Sequence, residues 1–357
     1  MKENLPVTVV LPSYNHSKYI GEALDSVLAQ TCSADEIIVV DDGSSDESVE
    51  ILRAYGRRIT LIEFEENRGA AVATNTAIRE AKNPYIALIN SDDNWNSRKL
   101  ELQFSWMTRN NFDLTFTTAS IVDGNSMPLA NPPAFFDVFL RTQPINQSFL
   151  YHFFYHGNFL CHPSLIIKRD QYLKYGFYSN KYRQLPDFER WITFSKRSKI
   201  GIMDNNLVNF RWTEGLNTSS QDLTSSYIRT QNECLSLYLN FFNGLEVAEI
   251  QHLFSKELDL LDSNYRGLAA SDPASALLLT HPEPSVRYQT MLAGYLRLMQ
   301  GESLPEVDKL IQDLSGSFQV SIEFEKLHNY FHNKSKKQAS FEHFPPNVRK
   351  FIRKLKR

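Results

Sequence analysis

The sequence predicts an α/β fold with a mainly parallel sheet, followed by an all-helical region. Through about residue 120, short apolar runs such as Val7–Leu11 and Ile37–Val40 alternate with segments of helical periodicity. Such alternation is typical of βαβ units and a parallel sheet. Beyond about Asn217 the pattern is helical only. Polar clusters also follow three of the predicted strands, where sheets of this kind bind ligands.

The individual elements follow from the period of the apolar residues. Strands are predicted at 7–11, 36–41, 59–64, 85–89, 114–118 and 165–167. Helices are predicted at 20–28, from a capping box at Ser44–Glu47 to Gly56, at 70–81 and at 98–109. Residues 120–160 are predicted to be irregular. Later helices are predicted at 223–243, 247–262, 285–300, 304–315 and 321–332.

Charge is distributed unevenly along the chain of 357 residues. The net charge is −3, but residues 334–357 contain nine Lys or Arg and one Glu, and the remaining residues sum to −11. The overall balance argues against a nucleic-acid partner. The predicted organisation is a catalytic domain at 1–217, a helical region at 218–333 and a basic amphipathic tail at 334–357. No run of about 18 apolar residues predicts a membrane span.

Three polar clusters are the candidate site. They are Pro12–Asn15 after the first strand, Asp41–Asp46 after the second and Ser91–Asn94 after the fourth. Each by itself is compatible with an ordinary turn or helix cap. Because the carboxyl ends of parallel strands lie at one edge of a sheet, the three clusters are expected to converge.

Paired carboxylates at a strand end suit a hard divalent cation that also binds substrate phosphates. The sequence contains no phosphate loop of the Gly-x-x-x-x-Gly-Lys type, and no Gly-x-Gly-x-x-Gly follows the first strand. ATPase and dinucleotide dehydrogenase functions are therefore disfavoured.

Four motifs together resemble the family 2 inverting glycosyltransferases, which have the GT-A fold. They read Val9-Val-Leu-Pro-Ser-Tyr-Asn15, Ile37-Ile-Val-Val-Asp-Asp-Gly-Ser-Ser-Asp46, Glu66-Asn-Arg-Gly69 and Ala87-Leu-Ile-Asn-Ser-Asp-Asp93. The resemblance covers roughly residues 5–215.

The resemblance implies a donor site for a nucleotide-sugar. The residues assigned to it are Pro12, Tyr14, Asn15, Asp42, Arg68, Asp92 and Arg211. Tyr14 would stack on the base, which Asp42 would bind. Asp92 would hold the ribose or sugar, and Arg211 would neutralise the diphosphate. Asp93 would be the ligand of a Mn²⁺ or Mg²⁺ ion that bridges the diphosphate.

The resemblance also implies an acceptor side. Asp187, in Leu185-Pro-Asp-Phe-Glu-Arg-Trp191, matches the position of the catalytic base, with a helix N-cap as the alternative. Glu189 and His162 are assigned to the acceptor side, although Glu189 is expected to point elsewhere if the segment is helical. A structural histidine is an equally good interpretation of His162.

Two positions depart from the family pattern. Asn90 stands where the family often has aspartate, so one potential carboxylate is missing. Thr213 stands where a histidine is common, two residues after Arg211. These differences put part of the metal or phosphate binding in question.

The predicted function is an inverting transfer of a sugar, from UDP-sugar by the resemblance, to an acceptor hydroxyl in surface-polysaccharide or glycoconjugate synthesis. The expected acceptor is a saccharide or a lipid-linked saccharide, and the expected location is the cytoplasm or the cytoplasmic face of the membrane. The basic tail is compatible with an anionic membrane surface, and the helical region with acceptor binding, a partner or a homo-oligomer. The alternatives are a catalytically weak nucleotide-sugar-binding scaffold and a sugar nucleotidyltransferase.

Overall fold

The computed structural model describes residues 3–140, 148–213, 223–261 and 263–299. The helices predicted at 304–315 and 321–332, and the basic tail at 334–357, lie outside the described residues. The chain divides into two compact units, Met1–Ser219 and Ser220–Arg357. Each unit is described by itself.

The first unit is built on one mixed sheet of eight strands. Its strands are β1 (Asn4–Ser13), β2 (Ser33–Asp41), β3 (Thr60–Glu63), β4 (Tyr85–Leu88), β5 (Asn94–Trp95), β6 (Leu114–Val122), β7 (Ile166–Lys168) and β8 (Ile200–Arg211). Their order across the sheet is β3-β2-β1-β4-β7-β6-β8-β5.

Strand direction determines which chain ends meet. β1 pairs in parallel with β2 and β4, and β6 pairs in parallel with β8. β7 is antiparallel to both β4 and β6. The carboxyl ends of β1, β2, β4, β6 and β8 therefore lie at one edge of the sheet, together with the amino end of β7. This edge carries the predicted polar clusters.

Seven α-helices of the first unit flank the sheet in the described residues. They are α1 (Ile20–Leu28), α2 (Ser48–Ala54), α3 (Ala70–Glu80), α4 (Lys99–Arg109), α5 (Phe149–His156), α6 (Arg169–Tyr175) and α7 (Pro186–Ser195). The predicted mainly parallel α/β architecture is confirmed.

The core explains the helix and strand positions. β1 is buried on both faces, as expected for a central parallel strand, with Val9 and Leu11 fully enclosed on one face and Thr8 and Val10 on the other. Helix α1 contributes Ile20 and Leu24, also fully buried, at the i and i+4 positions of one face.

The predicted capping box is wrong. Helix α2 begins at Ser48, four residues beyond the predicted start, and has no side-chain cap at Glu47. The Ser44 hydroxyl donates instead to Asp41 Oδ2 (2.6 Å), because the loop folds back onto the end of β2.

Residues 120–160 are more regular than predicted. β6 continues to Val122, a 3₁₀ segment spans Ala134–Leu140, and helix α5 covers Phe149–His156. Ser148 caps α5 by accepting the Tyr151 N–H (3.1 Å). The many aromatic residues of this segment obscured the helical period.

The second unit is helical where it is described. Its helices are α8 (Leu223–Asn240), α9 (Val247–Leu253), α10 (Ser255–Asp259), α11 (Ser263–Ser271), α12 (Pro273–Leu279) and α13 (Arg287–Met299). Helices α11 and α12 were not predicted. Among the described residues, no helix combines the length and apolar character that a membrane span requires.

Gly43 is a sharp constraint on the loop after β2. Its φ is +71°, and a Cβ built there would lie 2.6 Å from the Glu66 carbonyl carbon and 2.8 Å from Asn67 N. Gly56 has a similar φ of +58° but open space around it. Gly56→Ala is therefore a matched control in which only the backbone strain of a positive φ changes, without a steric clash.

We expect Gly43→Ala to lower the free energy of unfolding of the first unit by about 2–4 kcal/mol, because strain and overpacking add. Gly56→Ala should cost only the strain, about 1–2 kcal/mol. Tryptophan fluorescence during urea denaturation measures both, since all four tryptophans lie in this unit: Trp95, Trp106, Trp191 and Trp212. Equal losses in the two variants would contradict the close approach.

Candidate active site

The first two polar clusters lie together at the sheet edge. Asp42 N donates to the Ser13 carbonyl (2.8 Å), which joins the ends of β1 and β2. Asn15 N donates to Ser44 Oγ (2.9 Å), and Asn15 Oδ1 accepts from Ser45 N (2.8 Å). The convergence predicted from the parallel strands is therefore present in the structure.

The surface of this corner is formed by Pro12, Tyr14 and Asn15, all partly exposed. Asn15 has a positive φ of 52°, a conformation that asparagine tolerates better than most residues. Contacts of these residues with a nucleotide remain predictions.

Asp42 joins the end of β2 to the loop before α3. Its Oδ1 accepts from Arg68 N (2.7 Å) and its Oδ2 from Gly69 N (2.8 Å). Burial raises the pKa of the Asp42 carboxyl, and these two N–H groups offset part of that rise. The observed partners are backbone groups, so the predicted contact with a base would use the remaining lone pairs.

The Arg68 side chain is exposed at the same corner. Its guanidinium lies 4.7 Å from the centre of the Phe64 ring. This cation–π contact restrains the side chain while its charge stays in solvent. Arg68 therefore remains a candidate for a nucleobase or diphosphate.

The third cluster contains two carboxylates in opposite environments. The Asp92 side chain is 24% exposed, and its Oδ2 lies 4.0 Å from His16 Nε2. Asp93 is 2% exposed. Its Oδ1 accepts from Arg211 N (2.7 Å) and its Oδ2 from Asn90 Nδ2 (2.9 Å). Burial, followed by the nearby charge of Asp92, raises the pKa of Asp93 well above its ordinary value.

This geometry favours Asp92 over Asp93, the residue that we predicted as the metal ligand. Both oxygens of Asp93 accept from protein donors inside the core, and the residue is 2% exposed, so a cation could reach its remaining lone pairs only if neighbouring residues moved. Asp92 is the carboxylate of the pair that faces outward. The sequence could not distinguish the two, because they are neighbours.

The Asp92 carboxylate is suited to bind a divalent cation that also binds the phosphates of a substrate. Among residues 3–140, 148–213, 223–261 and 263–299, no group of three or more His, Cys, Asp or Glu could hold a metal ion by itself. Mg²⁺-type sites, however, often use one or two carboxylates and complete their shell with water and phosphate oxygens.

Arg211, at the end of β8, is 3% exposed. Its side chain stacks 4.5 Å from the centre of the Tyr19 ring. It donates to four groups: the Asp92 carbonyl (2.7 Å), the Asp123 carbonyl (2.8 Å), the Glu22 carboxylate (2.7 Å) and the Ser126 hydroxyl (2.8 Å). The Arg211 side chain therefore stabilises the turn at Asp92 from inside the protein. This role differs from the diphosphate contact that we predicted.

Asp187 lies on the other side of the edge, in the first turn of α7. It is partly exposed, and its Oδ2 accepts from Asn158 Nδ2 (2.9 Å). The N-cap of α7 is Leu185, so the alternative interpretation of Asp187 as the cap is wrong. Its carboxylate is held in place and remains accessible, as a base requires.

His162 lies between the two carboxylate-bearing segments. Its Nδ1 is 3.3 Å from Asn90 Oδ1, and its Nε2 is 3.1 Å from the Tyr178 hydroxyl. Burial lowers the pKa of His162, and the negative charge of Asp187 opposes this shift. The structural interpretation of His162 is supported, since both ring nitrogens have protein partners.

Glu189 does not face the acceptor side as predicted. Its carboxylate is paired with the Arg190 guanidinium and also accepts from Thr193 Oγ1 (3.2 Å). Arg190 in turn donates to the Tyr175 carbonyl (2.9 Å). Two positions along a helix correspond to a rotation of about 200°, so Glu189 points away from Asp187 and stabilises the packing of α7.

Sequence reasoning missed three residues of the site. The His16 ring shares a hydrogen bond with Ser91 Oγ (2.7 Å), and so links the first and third clusters. Asn158 holds Asp187, and Tyr178 holds His162. His16 directly follows the first cluster and could have been found by its position, whereas Asn158 and Tyr178 have no motif.

Comparison with known proteins matches the segment that carries the three polar clusters, while Asp187 and Arg211 lie beyond the matched residues. Residues 8–175 match the model of "Glycosyl transferase family 2". A putative teichuronic acid biosynthesis glycosyltransferase of Bacillus subtilis is 40% identical over 126 residues, which is 34% of this chain and 50% of that protein. A UDP-Glc:α-D-GlcNAc-diphosphoundecaprenol β-1,3-glucosyltransferase of Escherichia coli is 39% identical over 34% of this chain and 48% of that protein.

The chain thus spans about half the length of these curated relatives. Among solved structures, S. aureus TarS 1–349 in complex with UDP-GlcNAc superimposes with a TM-score of 0.56 at 19% identity. The match covers 87% of this chain and 85% of TarS 1–349. At this identity the likeness establishes the fold.

We expect Arg211→Lys to lower the free energy of unfolding of the first unit by about 2–4 kcal/mol, because a lysine cannot serve all four acceptors. Arg53→Lys is the matched control. Arg53 pairs with Glu63 at an exposed position (2.6 Å), where such a pair contributes little. Urea denaturation followed by tryptophan fluorescence compares the two variants. A stable Arg211→Lys protein would refute the supporting role.

Proposed function

We propose that the chain transfers a sugar from a UDP-sugar to an acceptor hydroxyl with inversion, because residues 8–175 match the model of glycosyl transferase family 2 and the first unit has the GT-A fold. The observation that carries the proposal is the pair of accessible carboxylates, Asp92 and Asp187. Asp92 adjoins Asp93, to which Asn90 donates, and Asp187 lies in the first turn of α7, close enough to His162 for its charge to affect the pKa of that ring.

The donor side is the corner formed by the ends of β1, β2 and β4. Tyr14 offers an aromatic face for a base, with Pro12 and Asn15 beside it, and the exposed Arg68 offers a positive charge. A UDP-sugar is the favoured donor, because UDP-Glc is named as the donor of the relative from E. coli.

Asp92 would hold a Mn²⁺ or Mg²⁺ ion shared with the diphosphate. When bound, the ion supplies positive charge where the leaving diphosphate becomes more negative. In this proposal Asp93 and Arg211 keep the Asp92 turn in place from below.

Asp187 is proposed to be the general base. Its carboxylate removes the proton of the acceptor hydroxyl while that oxygen attacks the anomeric carbon. The bond from the anomeric carbon to the diphosphate breaks on the opposite face, which inverts the configuration. Asn158 Nδ2 holds one carboxylate oxygen and Phe188 N the other, so the proton is taken up on one of the remaining lone pairs.

The acceptor is proposed to be a saccharide of a surface polysaccharide, free or linked to a lipid. The names of the relatives from B. subtilis and E. coli, which refer to teichuronic acid and to a diphosphoundecaprenol-linked sugar, support this class. Such a lipid-linked acceptor would place the reaction at the cytoplasmic face of a membrane. The helical unit is a candidate for acceptor binding or self-association.

The alternatives considered from the sequence are less well supported. A catalytically weak scaffold would not need both carboxylates, yet Asp92 and Asp187 are present and partly exposed. A nucleotidyltransferase does not fit the match to family 2.

We expect Asp187→Asn to reduce turnover of the donor by about 10²- to 10⁴-fold, the usual contribution of a general base. UDP affinity should stay within about twofold, because Asp187 lies on the acceptor side. The assay measures UDP release from UDP-glucose and UDP-GlcNAc with Mn²⁺, and calorimetry measures UDP binding.

Asp170→Asn is the matched control, since Asp170 is a half-exposed carboxylate on α6 that pairs with Lys174 (2.6 Å). It should turn over at the unmodified rate. Parallel loss of UDP binding and turnover in Asp187→Asn would refute the base assignment. Absence of UDP release by the unmodified chain from every nucleotide-sugar tested would refute the proposed function.

A further inference from the structure

Asn90, which stands where the family often has aspartate, makes two contacts in the structure. It connects the buried Asp93 carboxylate to the His162 ring. Its Nδ2 donates to Asp93 Oδ2 (2.9 Å), and its Oδ1 lies 3.3 Å from His162 Nδ1. An amide can donate on one side and accept on the other, whereas a carboxylate only accepts.

The direction of every bond in this chain of contacts follows from its ends. Arg211 N–H can only donate, so Asp93 accepts from it and, being a carboxylate, also accepts from Asn90. The Asn90 carbonyl oxygen must then face His162, whose Nδ1 carries the hydrogen.

The remaining bonds continue in the same sense. With its hydrogen on Nδ1, neutral His162 accepts at Nε2 from the Tyr178 hydroxyl (3.1 Å). The Tyr178 oxygen then accepts from the Tyr172 hydroxyl (3.2 Å). Each donor meets an acceptor along the whole chain.

The contacts connect the two halves of the site. Asp93 is bonded to the end of β8 and adjoins Asp92, which faces the donor side. His162 opens the 3₁₀ turn before β7 and lies near Asp187 on the acceptor side. The Trp95 indole N–H donates to the Pro163 carbonyl (2.9 Å) and makes a second link between the same two segments.

We propose that Asn90 and Asp93 are a complementary positioning pair that fixes the Asp92 turn relative to the His162 turn. Asp93 neither binds the metal nor reacts, and Asn90 is required as an amide because Asp93 is a carboxylate. An aspartate at position 90, the residue common in the resembling family, would be harmful in this chain. The inference rests on the proposed function, since turnover is one of its two measurements.

The test is an exchange of the two side chains. Asn90→Asp places two carboxyl groups against each other, so that they either repel or must take up a proton to restore a donor between them. Asp93→Asn leaves one oxygen to serve two donors, Arg211 N and Asn90 Nδ2. The double variant Asn90→Asp/Asp93→Asn restores every bond. The amide at position 93 then accepts from Arg211 N and donates to the carboxylate at position 90, which accepts from His162.

We expect each single variant to lose about 10- to 100-fold in kcat for UDP release from UDP-glucose, the effect of one disrupted buried hydrogen bond. Its KM should change much less. The thermal midpoint should also fall, by about 3–8 °C. The exchange variant should recover to within about fivefold of the unmodified kcat and to within about 2 °C of its midpoint.

Three outcomes would overturn the inference. The first is an exchange variant as inactive as Asp93→Asn, which is expected of a metal ligand or reacting carboxylate. The second is an Asn90→Asp variant with unmodified kcat. The third is recovery of the thermal midpoint without recovery of kcat, which would reduce the pair to a stabilising contact.

Failure of the proposed function remains distinguishable. If the unmodified chain releases no UDP from any nucleotide-sugar, the proposed function is refuted. The pairing of Asn90 with Asp93 is then tested by the thermal midpoints of the variants alone. Recovery of the midpoint in the exchange variant then supports the complementary pairing, and absence of recovery refutes it.

Discussion

The site depends on two ionisable groups, Asp93 and Arg211, that are buried beneath one turn of the chain. A buried charge is stable only when its hydrogen-bonding capacity is filled, and removal of one partner typically costs about 3–5 kcal/mol. The Arg211 side chain meets this requirement by bonding to three separate segments of the sequence, and Asp93 by bonding to Arg211 N and Asn90. In the turn between them both groups are satisfied, and the Asp92 side chain is left partly exposed.

A second buried carboxylate fixes a loop at the same edge of the sheet, on the proposed nucleotide side. Asp42 is almost fully buried and accepts two backbone N–H groups from the loop before α3. Gly43 permits that loop to approach, since no side chain fits between its backbone and that of Glu66. In both places a buried carboxylate fixes a loop so that a neighbouring residue faces the solvent with a defined position. The residues that would touch a ligand are thus not the most deeply buried ones.

Much of the fold could be predicted, because burial on a parallel sheet leaves a clear sequence pattern. The run Val7–Leu11 and the small-residue face of α3 specify their elements locally, and parallel pairing then brings the polar clusters together. Other features depend on contacts that local sequence does not encode. The burial of Asp93 rather than Asp92 is fixed by its bond to the Arg211 N–H at the distant end of β8. Asn158 and Tyr178 reach their partners only through tertiary packing.

The central claim is that Asp92 faces the donor and Asp93 supports it from within. The most direct measurement is a crystal structure of the full chain with UDP and Mn²⁺, with the ion located by its anomalous scattering. The account predicts a manganese peak at ligand distance from an Asp92 carboxylate oxygen, with both Asp93 oxygens still bonded to Arg211 N and Asn90. A manganese ion bound directly to Asp93 would contradict it.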